Sequence, residues 1–337
     1  MACGGGGGES PDNSPALPPV TTTPAVASAC TSEGGAPTIN QQLQWPHYSS
    51  DLYASRFLNT EKLTDTNFSN LTMAWRWTSP TENILANNTD LEAFWNESTP
   101  IMINGALFVS SQFNHIIALN AETGQTIWTF DPQSYLAGRP PNHGFVHRGV
   151  AYWEKDNNKR IFVGTLDSFL YSIDACTGEV DINFNNGGRV DLREGLGRAI
   201  NNDYYGVNSP PLVCKDTVVV GSSVMDYPAQ YLNADSMPPG DVRAYDAITG
   251  QLKWQFHVIP HEGEYGADTW KNNSYLEGAG VNVWSTFSCD EELGMVYLPL
   301  TTPTNDHFGG DRLGDNLFAE SVVAVDIETG ERRWHYQ

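Results

Sequence analysis

Ala118-Leu-Asn-Ala-Glu-Thr-Gly124, with Trp128 four residues further on, decides how this chain folds, because it recurs. The later copies are Asp174-Ala-Cys-Thr-Gly178, Ala244-Tyr-Asp-Ala-Ile-Thr-Gly250 with Trp254, and Ala324-Val-Asp-Ile-Glu-Thr-Gly330 with Trp334. An Asp or Asn side chain can bond the backbone just ahead of it, and Gly supplies a positive φ, so each copy is a tight turn between antiparallel strands. Alternating or β-branched runs precede the copies: Ala106-Leu-Phe-Val, Arg160-Ile-Phe-Val, Thr217-Val-Val-Val and Met295-Val-Tyr-Leu. These read as strands. The repeat glycines lie 54, 72 and 80 residues apart, against about 40–50 in common propeller repeats, so the units carry insertions. Strands with almost no helical periodicity, in units that must stack to bury both faces, favour a β-propeller over a sandwich. Trp128, Trp254 and Trp334 are expected to pack between blades, and Ile182 stands in the tryptophan position of the second copy.

Composition narrows the function. Of 337 residues, 40% are hydrophobic, enough to bury a large core, and the net charge of -22 opposes nucleic acid and anionic membrane surfaces. No run approaches the roughly 18 apolar residues of a membrane span. Cys3, Cys30, Cys176, Cys214 and Cys289 have no CxxC spacing, which argues against a zinc-thiolate site or a thioredoxin-like pair. In an oxidising compartment some would pair, and the sequence does not select which.

The Gly/Pro/Ser/Thr/Ala-rich stretch before residue 38 reads as a flexible linker, so two regions are expected, 1–37 and a propeller portion over 38–337. Met1-Ala2-Cys3 followed by Gly4–Gly8 resembles the cleavage box of bacterial lipoproteins, which would make Cys3 the lipidated residue and the membrane reachable through that anchor alone. The charged and apolar signal region that should precede such a cysteine is not in the sequence.

Longer strings carry a family resemblance. Arg148-Gly-Val-Ala-Tyr-Trp153, Gly164-Thr-Leu-Asp167, Ser209-Pro-Pro-Leu-Val213, Phe256-His-Val-Ile-Pro260, Gly263-Glu-Tyr-Gly-Ala-Asp-Thr-Trp270, Asp311-Arg-Leu-Gly-Asp315 and Trp334-His-Tyr-Gln337 are similar to the quinoprotein dehydrogenases, in particular their glucose-dehydrogenase-like branch. The repeat itself resembles that family's tryptophan-docking motif, and the likeness spans residues 42 to 337. It implies an all-β, eight-bladed β-propeller, of which this chain supplies about half to five-eighths of the blades. It also implies pyrroloquinoline quinone (PQQ), Ca2+ or Mg2+, a small alcohol or sugar substrate, a respiratory quinone or cytochrome as electron acceptor, and a periplasmic location.

A planar tricarboxylate quinone needs cationic partners, flat surfaces against its ring and a metal beside its reactive carbonyl. By the resemblance, Arg148 clamps a carboxylate or the quinone oxygens and Glu97 bonds the cofactor, although an exposed loop carboxylate would look the same. Trp284 matches the tryptophan on which the ring stacks. Where alcohol-oxidising members place two ring-capping cysteines, this chain has Asn142 and His143. His143 is then the candidate cap, with His147 as competitor. Asn208 and Ser223 align with polar cofactor contacts, and Asp226 with an acidic metal ligand of the kind hard Ca2+ or Mg2+ requires. Thr302 occupies the place of an asparagine ligand and is the weaker metal donor.

In the family an aspartate takes the substrate proton as hydride moves to the ring. The resemblance puts that aspartate beyond Gln337, so no catalytic base is assigned and the 337 residues alone are expected to show no turnover. Two other readings compete: a non-catalytic propeller lipoprotein that scaffolds outer-membrane assembly, and a metal-dependent sugar-binding propeller without redox chemistry. The long insertions holding Arg148, Asp226 and Trp284 are what a scaffold would not need.

Overall fold

The computed structural model describes residues 20–22, 30, 44–60, 62–142, 144–197, 200, 202–226, 237–276 and 278–337. A short strand, β1 (Val20–Thr22), is followed by one α-helix, α1 (Thr81–Asn87), and then by antiparallel sheets. The first sheet runs β2 (Ile101–Ile103), β3 (Ala106–Ser110), β4 (Ile116–Asn120) and β5 (Thr126–Phe130), with β1 added outside β5. The second is β6 (Ala151–Lys155), β7 (Asn158–Gly164), β8 (Phe169–Asp174) and β9 (Arg189–Asp191). After β10 (Tyr205–Gly206), the third is β11 (Leu212–Cys214), β12 (Thr217–Val220), β14 (Val242–Asp246) and β15 (Leu252–Phe256). Between β12 and β14, β13 (Ser223–Val224) leaves the blade and pairs with β10. The fourth is β16 (Ser288–Asp290), β17 (Met295–Pro299), β18 (Val322–Asp326) and β19 (Arg332–Tyr336). Four meandering four-stranded blades in chain order are the expected propeller architecture. Among the described residues no helix is long and apolar enough to cross a membrane.

The repeat turns obey their chemistry. Asn120 Oδ1 accepts from the amides of Glu122 and Thr123 at 3.0 and 2.9 Å, and Asp174, Asp246 and Asp326 accept in the same way from the residues two and three ahead. The closing glycines have φ of 71° to 77°. In the last copy the Arg333 guanidinium, together with the turn amides, pulls the Asp326 carboxyl down to about 2.

The core is divided into interblade layers rather than gathered at one centre. One apolar cluster joins the first two blades (Ile116, Trp128, Phe130, Ile161, Tyr171), another the second and third (Phe162, Phe184, Val218, Tyr245), and another the third and fourth (Trp254, Val283, Val296, Val323). The tryptophan of one blade lies on the repeat glycine of the next. A Cβ on Gly178 would sit 2.6 Å from Trp128 and one on Gly330 2.7 Å from Trp254. The indoles donate to Ala175 O at 3.1 Å and Ile327 O at 2.8 Å, both three residues before the glycine.

Two partners were not visible in the repeat. Trp75, upstream of the first copy, covers Gly124 and donates to Ala121 O at 3.1 Å. At the interface where Ile182 replaces tryptophan, Arg160 donates to Ala247 O at 2.5 Å and to Ile248 O at 2.8 Å, and ion-pairs with Asp181. Asn185 packs against Gly250 and donates to its carbonyl at 2.8 Å. Ile182 is exposed. The carbonyl that an indole serves elsewhere is thus served by a guanidinium. Trp334 is expected to be an interblade side chain, but among the described residues it is 42% exposed, its ring 5.8 Å from Tyr297.

Of the region expected as a linker, the described parts are fastened. β1 pairs with β5, and Cys30 is disulfide-bonded to Cys176 inside the second repeat turn. A second disulfide, Cys214–Cys289, joins the third blade to the fourth. Cys3 lies outside the described residues.

Candidate functional site

The connection from β5 to β6 carries the site's two anchors. At its far end the Arg148 amide donates to Asn208 O at 3.0 Å, and the Thr99 amide donates to Arg148 O at 2.9 Å, which fixes the backbone on both sides. The guanidinium is 13% exposed and pairs with Glu97 at 2.7 Å. It lies 5.0 Å from the centre of the Trp284 ring and 3.5 Å from Ser209 Oγ. Ser209 Oγ in turn donates to Trp284 O. Glu97, Arg148, Asn208 and Trp284, which lie far apart in the sequence, therefore meet in one place. Trp284 keeps 43% of its surface open, as a stacking platform must.

At the near end of the same connection, Asn142 takes φ = 56° and its amide reaches β13. Its Nδ2 donates to Val224 O at 2.7 Å and to Ser223 Oγ at 3.4 Å, and its Oδ1 accepts from the Asp226 amide at 2.9 Å. Asn142 thus holds in place both Ser223 and Asp226. Burial, with added repulsion from Asp306, pushes the Asp226 carboxyl up to about 7. Asp306 was not singled out by sequence reasoning. It lies on the segment of Thr302, whose backbone neighbours are pinned: the Thr301 amide donates to Asn282 O at 3.1 Å and Thr304 Oγ1 to Met225 O at 3.5 Å. Thr302 itself is half-buried.

His143 lies outside the described residues. Its competitor His147 is fully buried, with Nδ1 2.8 Å from Ser110 Oγ and Nε2 2.9 Å from Gly164 O. A carbonyl accepts only, so Nε2 carries the proton and Nδ1 accepts from Ser110. Burial lowers this imidazole to about 4, so it is a neutral structural group with both nitrogens occupied.

The residues fit a planar anionic quinone and a hard cation. A guanidinium beside an open indole suits a flat polyanion. A carboxyl disfavoured in its charged form by burial and a neighbouring carboxyl is one that a cation relieves. The buried Ser222 hydroxyl, next to Ser223 in the sequence, and the buried Asn282 Oδ1, two residues before Trp284, have no hydrogen-bond partner among the described residues.

Four-stranded blades stacked through tryptophan–glycine contacts define a β-propeller, whose β5–β6 connection sets the Arg148 guanidinium on Glu97 and Trp284 at one end and Asn142 on Asp226 at the other. The chain belongs to the PQQ-dependent glucose/ethanol/alcohol dehydrogenase β-propeller family, whose profile matches residues 45–337. It is 29% identical over 320 residues to the quinate/shikimate dehydrogenase (quinone) of Acinetobacter baylyi, covering 88% of this chain and 37% of that one. It is 32% identical over 296 residues to the quinohemoprotein alcohol dehydrogenase ADH-IIG of Pseudomonas putida, covering 84% of this chain and 36% of that one. The solved structure of ADH-IIG superimposes with a TM-score of 0.72 at 29% identity over 93% of this chain and 43% of the other. The quinohemoprotein alcohol dehydrogenase of Comamonas testosteroni gives 0.69 at 25% identity, over 89% of this chain and 42% of that one. The chain thus spans about two fifths of the length of these relatives.

Proposed function

We propose that this chain is the quinone-holding part of a dehydrogenase that oxidises the hydroxyl of a small alcohol or sugar. The supporting observation is that one connection, between β5 and β6, brings Arg148 onto Glu97, Asn208 and Trp284 and brings Asn142 onto Ser223 and Asp226. Bound PQQ would supply the two-electron acceptor for the substrate's hydride. Arg148 would neutralise its negative oxygens, Trp284 would lie against one face of the ring, and Asn208 and Ser223 would bond its polar edge. His143 would cover the other face. Asp226, with Thr302 on the facing segment, would hold Ca2+ or Mg2+, and Asn142 would keep Asp226 aimed by gripping its amide.

Glu97 has the further part of holding the guanidinium beside the indole, so that the site is organised before the cofactor enters. A periplasmic location, anchorage through Cys3 and delivery of electrons to a respiratory quinone or a cytochrome belong to the same reading. Reconstitution tests it: the chain titrated with PQQ and Ca2+ is expected to bind one quinone, with quenched tryptophan emission and a shifted quinone absorption band. No quenching at millimolar quinone and calcium would refute the reading and leave a non-redox propeller, such as an assembly scaffold.

A further inference from the structure

At the end of β15 the chain turns through His257-Val-Ile-Pro-His261-Glu-Gly-Glu264, a segment that holds none of the site residues described above. Val258 and Ile259 are buried in the layer between the third and fourth blades, while the side chains of His257, His261 and Glu264 stay accessible. The imidazoles of His257 and His261 stack with centroids 3.8 Å apart and planes 19° apart. Both oxygens of Glu264 lie against His257 Nδ1, at 2.9 and 3.1 Å, and Oε2 also accepts from the His261 amide at 2.7 Å.

The turn is anchored at several points. The Glu264 amide donates to His261 O at 3.0 Å, the Val258 amide to buried Asp241 at 3.1 Å, and the Phe318 amide to Val258 O at 3.1 Å. Among the described residues, this is the cluster in which three potential metal-ligand atoms from His, Cys, Asp or Glu all lie within 4.8 Å of one another.

We propose that His257, His261 and Glu264 bind one borderline divalent transition ion, with zinc as the reference case. Two imidazoles and one carboxylate are the donors such ions prefer, whereas Ca2+ and Mg2+ ask for oxygen throughout. Bonds of about 2.0–2.1 Å to a tetrahedral ion put ligand atoms about 3.3 Å apart, close to the 4.8 Å within which these atoms already lie. The ion takes the place of the proton shared by His257 Nδ1 and Glu264, and it ties the long connection between β15 and β16 to the blade. Its donor set separates it from the all-oxygen surroundings of Asp226.

The test is equilibrium dialysis of the full, metal-stripped chain against Zn2+ alone and then with excess Ca2+. One zinc per chain, not displaced by Ca2+, is expected. His261→Gln and Glu264→Gln are each expected to weaken it by at least the ~10-fold that loss of even an outer-shell partner causes, while Asp226→Asn leaves it in place. With Co2+ substituted, the visible absorption of a four-coordinate ion should appear in the unaltered chain and fade in both variants. All three side chains are accessible, so the variants should keep the parent melting temperature. Zinc absent from the unaltered chain, held equally by His261→Gln and Glu264→Gln, or lost with Asp226→Asn, overturns the proposal.

Discussion

The Arg148 guanidinium lies 5.0 Å from the Trp284 ring centre and 2.7 Å from Glu97, so one cation serves an indole face and a carboxylate together. Replacing it with Ala leaves Glu97 without its partner and the indole without its cover. Loss of one member of such a pair costs about 2–4 kcal/mol in binding, or roughly 30- to 700-fold in quinone affinity. Arg148→Lys should recover little of this, because an ammonium lacks the planar fork. Quinone titration followed by tryptophan fluorescence reads both variants.

Asp226 predicts a pH dependence with a definite sign. In the metal-free protein its carboxyl titrates at about 7, above its ordinary value of 3.8. A cation binds the charged form, so Ca2+ affinity should rise by up to about tenfold per pH unit as pH approaches 7 and then level off. The stability term runs the other way: a raised native-state pKa favours the folded metal-free chain at low pH, and that preference is lost as pH rises from 3.8 through about 7. Asp226→Asn should remove both trends, as measured by calcium titration and by melting in chelator.

His147 carries the opposite signature. Burial depresses its imidazole from 6.5 to about 4, so the native state refuses a proton that the unfolded chain accepts. Its contribution to stability is present above pH 6.5 and is lost as pH falls through about 4. A comparison of melting curves for the unaltered chain and His147→Gln between these limits should show the variant losing less stability on acidification.

Arg160 does at one blade interface what tryptophan does at the others. Truncation to Ala should leave half-buried Asp181 without its cation and Ala247 O without its guanidinium donor, costing about 2–4 kcal/mol. Ile182→Ala, at the position the repeat assigns to tryptophan, should change stability by less than about 0.5 kcal/mol, because Ile182 is exposed. Chemical denaturation distinguishes the two.

Cys214–Cys289 closes a loop of 75 residues between the third and fourth blades. Cys214→Ala together with Cys289→Ala should lower stability by about 2–4 kcal/mol, seen as an earlier denaturation midpoint with the far-UV spectrum unchanged.

Much of this was legible because it is local. Asn120, Asp174, Asp246 and Asp326 each bond amides two and three residues away, so the turn is written in consecutive letters and so are the strands on either side. Trp128 and Trp254 were legible for the same reason. Trp75 was not, because no Thr-Gly turn precedes the indole to mark it as a member of the repeat. Arg160 was not, because the carbonyl it serves is 87 residues away. Arg148, Asp226 and Trp284 were picked out only through resemblance, since an arginine, an aspartate or a tryptophan in an insertion has no period to mark it.

The sequence alone determined the strands, the turns and the stacking of repeated units, because hydrophobic alternation and Asx-turn chemistry act within a few residues. Tertiary structure decided which cysteines join, which side chain replaces a missing tryptophan, and that Arg148 meets Glu97 and Trp284 while Asn142 meets Ser223 and Asp226. Those outcomes depend on how far each insertion carries its side chains across a blade interface, a distance set by packing of the whole stack.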